Sequence, residues 1–148
     1  MLKYNKAYIT FAIKILGDMT YKGASCTISW VDENLAIGDI TDVTLRDALR
    51  EQGIEFIVDV RVHFHSAGLL DMAPLPSVWK FAQDILDLSE KGKVLVHCHG
   101  GIDRSPFVAM LYYKLKHGCD FEEAYNHVQK VRPQCICHDE WVRLVKEW

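Results

Sequence analysis

Two runs of apolar, largely β-branched residues, Ile54 to Val62 and Lys93 to His97, are separated by a stretch long enough for a helix. Strands joined by a helical crossover lie parallel in one sheet, and a parallel sheet needs cover on both faces. Pro76 suits the first turn of the crossover helix, which runs to Lys91 and stops at Gly92. A further helix follows the second strand and ends near Gly118. This order predicts one α/β domain over residues 1–148, with a central, mostly parallel twisted sheet and helices on both faces. Ligands of open sheets sit beyond the carboxyl ends of the strands, which is where Cys98 falls.

The flanks complete the outline. Thr27 to Val31 and Leu35 to Ile37 read as two short strands around a turn at Asp32-Glu33-Asn34. Thr41 or Asp42 can cap a helix that runs to Gln52 and stops at Gly53. His63 to Leu75 reads as a loop, rich in His, Gly and Pro. Asp120 with Glu123 forms a capping-box pattern for a helix to about Val131, before Pro133, and a last helix spans Asp139 to Trp148. Tyr4, Ala7, Tyr8, Phe11, Ala12, Ile15 and Leu16 recur at helical spacing, so the N-terminal extension, residues 1–25, is expected to be an amphipathic helix packed on the domain.

Between the second strand and its helix lies His97-Cys98-His99-Gly100-Gly101-Ile102-Asp103-Arg104-Ser105-Pro106. A strand, a glycine-containing loop and a helix N-terminus together make a phosphate cradle, because successive backbone N–H groups and the helix dipole all favour an anion there. The same donors stabilise a thiolate at Cys98, and Arg104 adds a fixed charge whose planar fork can hold two phosphoryl oxygens. Gly100 and Gly101 allow close backbone approach. Ser105 is placed to hydrogen-bond the sulfur.

His-Cys, five residues, then Arg-Ser resembles the signature loop of the cysteine-dependent protein tyrosine phosphatases. The continuation Arg104-Ser105-Pro106 and the short chain look most like the compact dual-specificity branch, over about Ala36 to Gln134. The resemblance implies a phosphatase-like fold and a phosphocysteine intermediate. It makes Cys98 the nucleophile, Arg104 the phosphate clamp and Ser105 the residue that helps the sulfur leave. His99, Gly100, Gly101, Ile102, Asp103 and Arg104 would supply the substrate-binding loop, and His97 would order it through hydrogen bonds. Arg132 with Pro133 resembles a family position near the site, with a surface role at the helix end as the other reading.

The family also uses an upstream aspartate as proton donor. Asp71, in Leu69-Leu70-Asp71-Met72-Ala73-Pro74, resembles the Asp-x-x-Pro pattern and sits on a loop, where mobile catalytic groups are common. Asp59 is the other candidate. Strand alternation puts it on one face with Arg61, so a structural ion pair is its expected role. His63 and His65 are read as solvated loop residues near the acid. Asp103 is unusual inside a phosphate loop and is expected to point outward, toward a cationic group or a neighbouring histidine.

Other functions fit less well. The net charge of −3 gives no bulk attraction to nucleic acid or an anionic membrane, so neither is an expected partner. An RNA 5′-phosphatase or a phosphoinositide phosphatase on the same loop are the alternatives within the branch. His99 in place of loop lysines argues against an inositol lipid. His97-Cys98-His99 and Cys135-Ile136-Cys137-His138 carry enough soft ligands for zinc, but adjacent ligands on a strand point to opposite faces and no Cys-x-x-Cys is present. A rhodanese-like sulfurtransferase and a non-catalytic phosphate-binding module are the remaining alternatives. The Arg-Ser ending and an upstream aspartate favour phosphate chemistry, with no cofactor or metal. Five cysteines, an odd number, and no convincing signal peptide point to a reducing, cytoplasmic setting, and the resemblance implies phosphorylated protein substrates.

Overall fold

A computed structural model describes residues 12–14, 27–66 and 72–145. Seven strands are β1 (Ala12–Lys14), β2 (Ser29–Trp30), β3 (Leu35–Gly38), β4 (Ile54–Asp59), β5 (Phe64–Ser66), β6 (Met72–Pro74) and β7 (Lys93–His97). Five helices are α1 (Arg46–Glu51), α2 (Ser77–Ser89), α3 (Arg104–His117), α4 (Phe121–Val131) and α5 (Asp139–Val145). The main sheet has the order β1-β4-β7-β3-β2. Its centre, β4-β7-β3, is parallel, and the edge strands β1 and β2 are antiparallel.

Alternation along the central strands sorts side chains between two cores. Leu35, Ile37, Val58, Val94 and Val96 face the large core beneath α2 to α5, while Ala36, Ile57 and Leu95 face a smaller one with Leu49 of α1. A register irregularity between Ile54 and Phe56 lets Ile54 share the face of Ile57, three positions away. The helices therefore cover both faces, as expected. The phosphate-loop candidate leaves the carboxyl end of the central strand, β7.

Four expectations change. The N-terminal helix is corrected at Ala12–Lys14, which pairs antiparallel with Phe56–Val58. Without that strand β4 would present an open edge of backbone donors and acceptors, a stronger demand than a short apolar period. The rest of residues 1–25 lies outside the described residues. The helix expected from Thr41 to Gln52 is a short 3₁₀ turn, Asp42–Thr44, followed by α1. Asp39 rather than Thr41 or Asp42 receives the turn's amides, those of Thr41 and Asp42, at 2.8 and 2.9 Å. The Asp42 carboxylate instead accepts from the Thr27 and Asp39 amides. The strand expected to reach Val62 stops at Asp59, because its carboxylate accepts the Arg61 N–H and turns the chain into a 3₁₀ turn, Arg61–His63. The loop expected from His63 to Leu75 holds the small β5-β6 pairing.

The β2-β3 turn is tied to the helical layer through Asp32. Its carboxylate caps the Asn34 and Leu35 amides and accepts from Tyr112 Oη at 2.9 Å and Lys116 Nζ at 2.8 Å. Burial alone would raise the Asp32 carboxyl, but Lys116, the two amides and Tyr112 together hold it below its ordinary value. Burial and the Asp32 carboxylate push the Tyr112 hydroxyl up to about 12. A depressed carboxyl stabilises the fold above its unfolded value, and that contribution is lost as pH falls through the folded one. Asp32→Asn is therefore expected to cost about 1–2 kcal/mol at neutral pH. The cost should shrink below about pH 4, where the wild-type carboxyl is itself protonated on unfolding. Urea unfolding at the two pH values measures it; an equal cost at both would remove the charge from the explanation.

Candidate active site

Cys98 is fully buried at the end of β7, and the loop folds back over its sulfur. The Gly101 N–H donates to Cys98 Sγ at 3.2 Å, and Ser105 Oγ lies 3.3 Å from the same sulfur. Ser105 is in the first turn of α3, so the positive end of a 14-residue helix is directed at the thiol. Neighbouring strands brace the loop's ends. The Val60 N–H donates to His97 O at 3.0 Å and the Ile40 N–H to His99 O at 2.9 Å. His97 is buried, and its Nδ1–H donates to the Cys98 carbonyl at 3.0 Å.

Gly101 has φ +63°, and a Cβ there would lie 2.6 Å from the Gly38 carbonyl oxygen. The backbone is packed too closely for any side chain, which explains this glycine; Gly100 meets only its own loop neighbour Ile102. His99, Gly100 and Ile102 are exposed on the loop's outer side. Ile102 is held from outside by the Ile136 N–H, which donates to its carbonyl at 2.7 Å. Both isoleucine side chains stand exposed, giving the loop an apolar shoulder.

Arg104 begins α3 with its side chain mostly buried, and its Nε is a buried donor with no hydrogen-bond partner among the described residues. Buried donors are rarely left unpaired, so an orphaned guanidinium nitrogen beside a row of loop amides marks a place for an acceptor. Asp103 turns only one carboxylate oxygen outward, toward His138, while the other stays 3.8 Å from Arg104 Nε. Oδ1 accepts the Arg104 N–H at 2.8 Å, and Oδ2 accepts from His138 Nε2 at 3.4 Å.

Of the two readings given to Arg132, the position near the site holds and the surface role does not. The residue is 2% exposed, not at the surface. Its Nε donates to Gly101 O at 2.6 Å and its Nη1 to Ser29 Oγ at 2.9 Å, with Ile37 O and Thr27 O at 3.3 and 3.4 Å. Burial lowers its pKa, while Asp42 and Asp39 act in the opposite sense. One guanidinium thus ties the phosphate-loop backbone to β2 and β3.

Asp71 lies outside the described residues. Asp59 forms the expected pair with Arg61, a two-pronged bond of 2.9 and 2.5 Å. Burial opposes ionisation of Asp59, but the Arg61 side chain and amide outweigh it and hold the carboxyl below its ordinary value. His63 is not a solvated loop residue: it is buried, stacks on Phe81 at 3.8 Å, and burial brings it down to about 4. Cys119, Cys135 and Cys137 are free thiols, each pushed up chiefly by burial, Cys137 to about 11. Among the described residues no three His, Cys, Asp or Glu side chains converge as metal ligands.

Solved structures share this fold. A mouse protein solved as a complex with zinc tungstate has a TM-score of 0.68 at 18% identity, covering 87% of this chain and 90% of that one. A human tyrosine phosphatase-like serine/threonine/tyrosine-interacting protein has a TM-score of 0.58 at 18% identity, covering 81% and 93%. In sequence the chain is 31% identical over 130 residues to dual specificity protein phosphatase 12 of Rattus norvegicus, covering 75% of this chain and 38% of that protein. It is 26% identical over 129 residues to dual specificity protein phosphatase MPK-4 of Drosophila melanogaster, covering 76% and 33%. The chain spans little more than a third of the length of these two relatives. The family model of the dual specificity phosphatase catalytic domain matches residues 33–148, from the β2-β3 turn through the loop to the end of the chain. With most of its length matched and the Cys98 loop folded at the mouth of its sheet, this chain belongs to the dual specificity phosphatase catalytic domain family.

Proposed function

We propose that this protein is a metal-independent phosphatase that hydrolyses phosphotyrosine and phosphoserine or phosphothreonine in proteins through a phosphocysteine intermediate. The observation that carries the reading is the closed geometry at Cys98. An amide and a hydroxyl converge on the sulfur, and a buried guanidinium nitrogen without a partner stands in the same loop. Cys98 attacks phosphorus in line and expels the ester oxygen, so an S–P bond forms as the P–O bond breaks. Loop amides between His99 and Asp103 and the Arg104 side chain hold the equatorial oxygens. Ser105 then stabilises the departing thiolate as water takes the phosphoryl group.

Asp71 protonates the leaving oxygen and afterwards takes the proton of the attacking water. Asp59 is unsuited to that work, since Arg61 keeps it ionised. The stretch from Met72 to Gln83 contains no carboxylate, which leaves Asp71 as the acid nearest before α2. Asp71→Ala is expected to lower kcat on an aryl phosphate by about 10²-fold to 10⁴-fold while phosphate binding persists. Unchanged turnover would place the acid elsewhere.

The mouse neighbour of like fold was solved with zinc tungstate, which makes tungstate a suitable oxyanion probe for this chain. The apolar shoulder of Ile102 and Ile136 suits an aromatic or aliphatic phosphate carrier better than a polar inositol ring. No helix among the described residues is long and apolar enough to cross a membrane, and a cytoplasmic setting fits the free thiols. Turnover of p-nitrophenyl phosphate, blocked by vanadate and indifferent to chelators, tests the reading. Thiosulfate sulfurtransfer without phosphatase activity would overturn it.

A further inference from the structure

Asp103 puts a negative charge at the rim of a loop built for anions. Its carboxylate lies 3.8 Å from Arg104 Nε, outside hydrogen-bond reach but close enough for a small side-chain rotation to close the gap. A carboxylate beside a guanidinium favours the charge-assisted pair, so a free Asp103 would occupy the donor that a phosphoryl oxygen needs.

The second oxygen has another partner. His138 Nε2 faces Oδ2 at 3.4 Å, and the imidazole is itself held against the ring of Trp141, centroids 4.4 Å apart. Trp141 is buried between Phe64 and Phe107, at 5.1 and 5.4 Å, and its N–H donates to the His138 carbonyl at 3.0 Å. The half-exposed imidazole is thus backed on one side by a buried ring, and Ile136 N–H to Ile102 O pins its segment to the loop. Oδ1 accepts the Arg104 amide and stays 3.8 Å from Nε, while Oδ2 turns to His138, so neither oxygen hydrogen-bonds the guanidinium.

We propose that His138 is a positioning residue for Arg104: by drawing the Asp103 carboxylate aside, it keeps Arg104 Nε available for a phosphoryl oxygen. This rests on the phosphatase reading only in taking the loop as the oxyanion site.

The test is equilibrium binding of inorganic phosphate or tungstate to the full chain, by calorimetry, in the Cys98→Ser background. His138→Ala should weaken binding about fivefold to tenfold, the scale of one charge-assisted hydrogen bond. His138→Gln, which keeps a side-chain donor, should recover most of the loss. Asp103→Asn retains a helix-capping side chain without the charge and should bind at least as tightly as the parent. Adding His138→Ala to Asp103→Asn should then change affinity less than twofold. A merely structural histidine would weaken binding equally with and without the carboxylate, and that result would overturn the inference. So would an unchanged affinity in His138→Ala. A parent protein that binds neither anion would overturn the oxyanion site itself, and with it both readings.

Discussion

Cys98→Ser is expected to abolish phosphatase turnover, by roughly four to six orders of magnitude, the scale seen when a covalent nucleophile is removed. The loss is chemical rather than architectural. A serine hydroxyl fits where the thiol sits, and the Gly101 N–H and Ser105 Oγ that now face sulfur can face oxygen. An alcohol is hardly ionised at neutral pH, however, and is a poor leaving group in the second step. Oxyanion affinity should survive, because the donors to a bound phosphate are the other loop amides and the Arg104 side chain, while the Gly101 N–H stays turned to residue 98. Two measurements separate the effects: aryl phosphate turnover, which should vanish, and tungstate binding, which should stay within a few-fold of wild type. Retained turnover would move the nucleophile out of this loop. Joint loss of turnover and binding, with the fold intact by circular dichroism, would mean that the thiol shapes the cradle rather than attacking from it.

Much of this site was legible because its signals are local. The Lys93–His97 strand, the Gly pair and the helix after Arg104 are neighbours in sequence, and each constrains the next. The same holds for the capping box at Asp120 and Glu123, which forms in both directions, and for Gly118, which ends α3 at φ +63°. Misreadings arose where a distant partner decides. Ala12–Lys14 belongs to a helical pattern until β4 offers an unpaired edge. His63 looks like a solvated residue until Phe81, on the crossover helix, covers it. Asp103 could be expected to turn outward on charge alone, but its partner His138 is 35 residues away and has no motif to announce it.

Arg132 shows the same limit with the largest energetic stake. Its partners lie 31, 95, 103 and 105 residues away in sequence, so apart from the resemblance carried by Arg132-Pro133 nothing at the end of α4 separates it from a surface arginine. Inside the fold it is a buried cation whose donors fan out to Gly101, Ser29, Ile37 and Thr27, with Asp42 and Asp39 as the nearest opposing charges. Arg132→Met keeps much of the apolar stem and deletes the fork. It takes the donor from the buried Gly101 and Ile37 carbonyls and from the half-buried Ser29 hydroxyl, at about 1–3 kcal/mol for each buried group left without a partner. The expected cost is about 3 kcal/mol or more of unfolding free energy, a large share of a small domain's stability. Because Gly101 is the residue whose N–H meets Cys98, the loss should also weaken tungstate binding under conditions where the variant remains folded. Arg132→Lys should recover part of the stability, since an ammonium carries the charge, but not the span from loop to β2 that a planar fork provides. Urea midpoints and binding constants for the two variants decide the matter. If Arg132→Met unfolds within about 0.5 kcal/mol of wild type, the range of an ordinary surface substitution, the guanidinium is not the tie between the loop and its sheet.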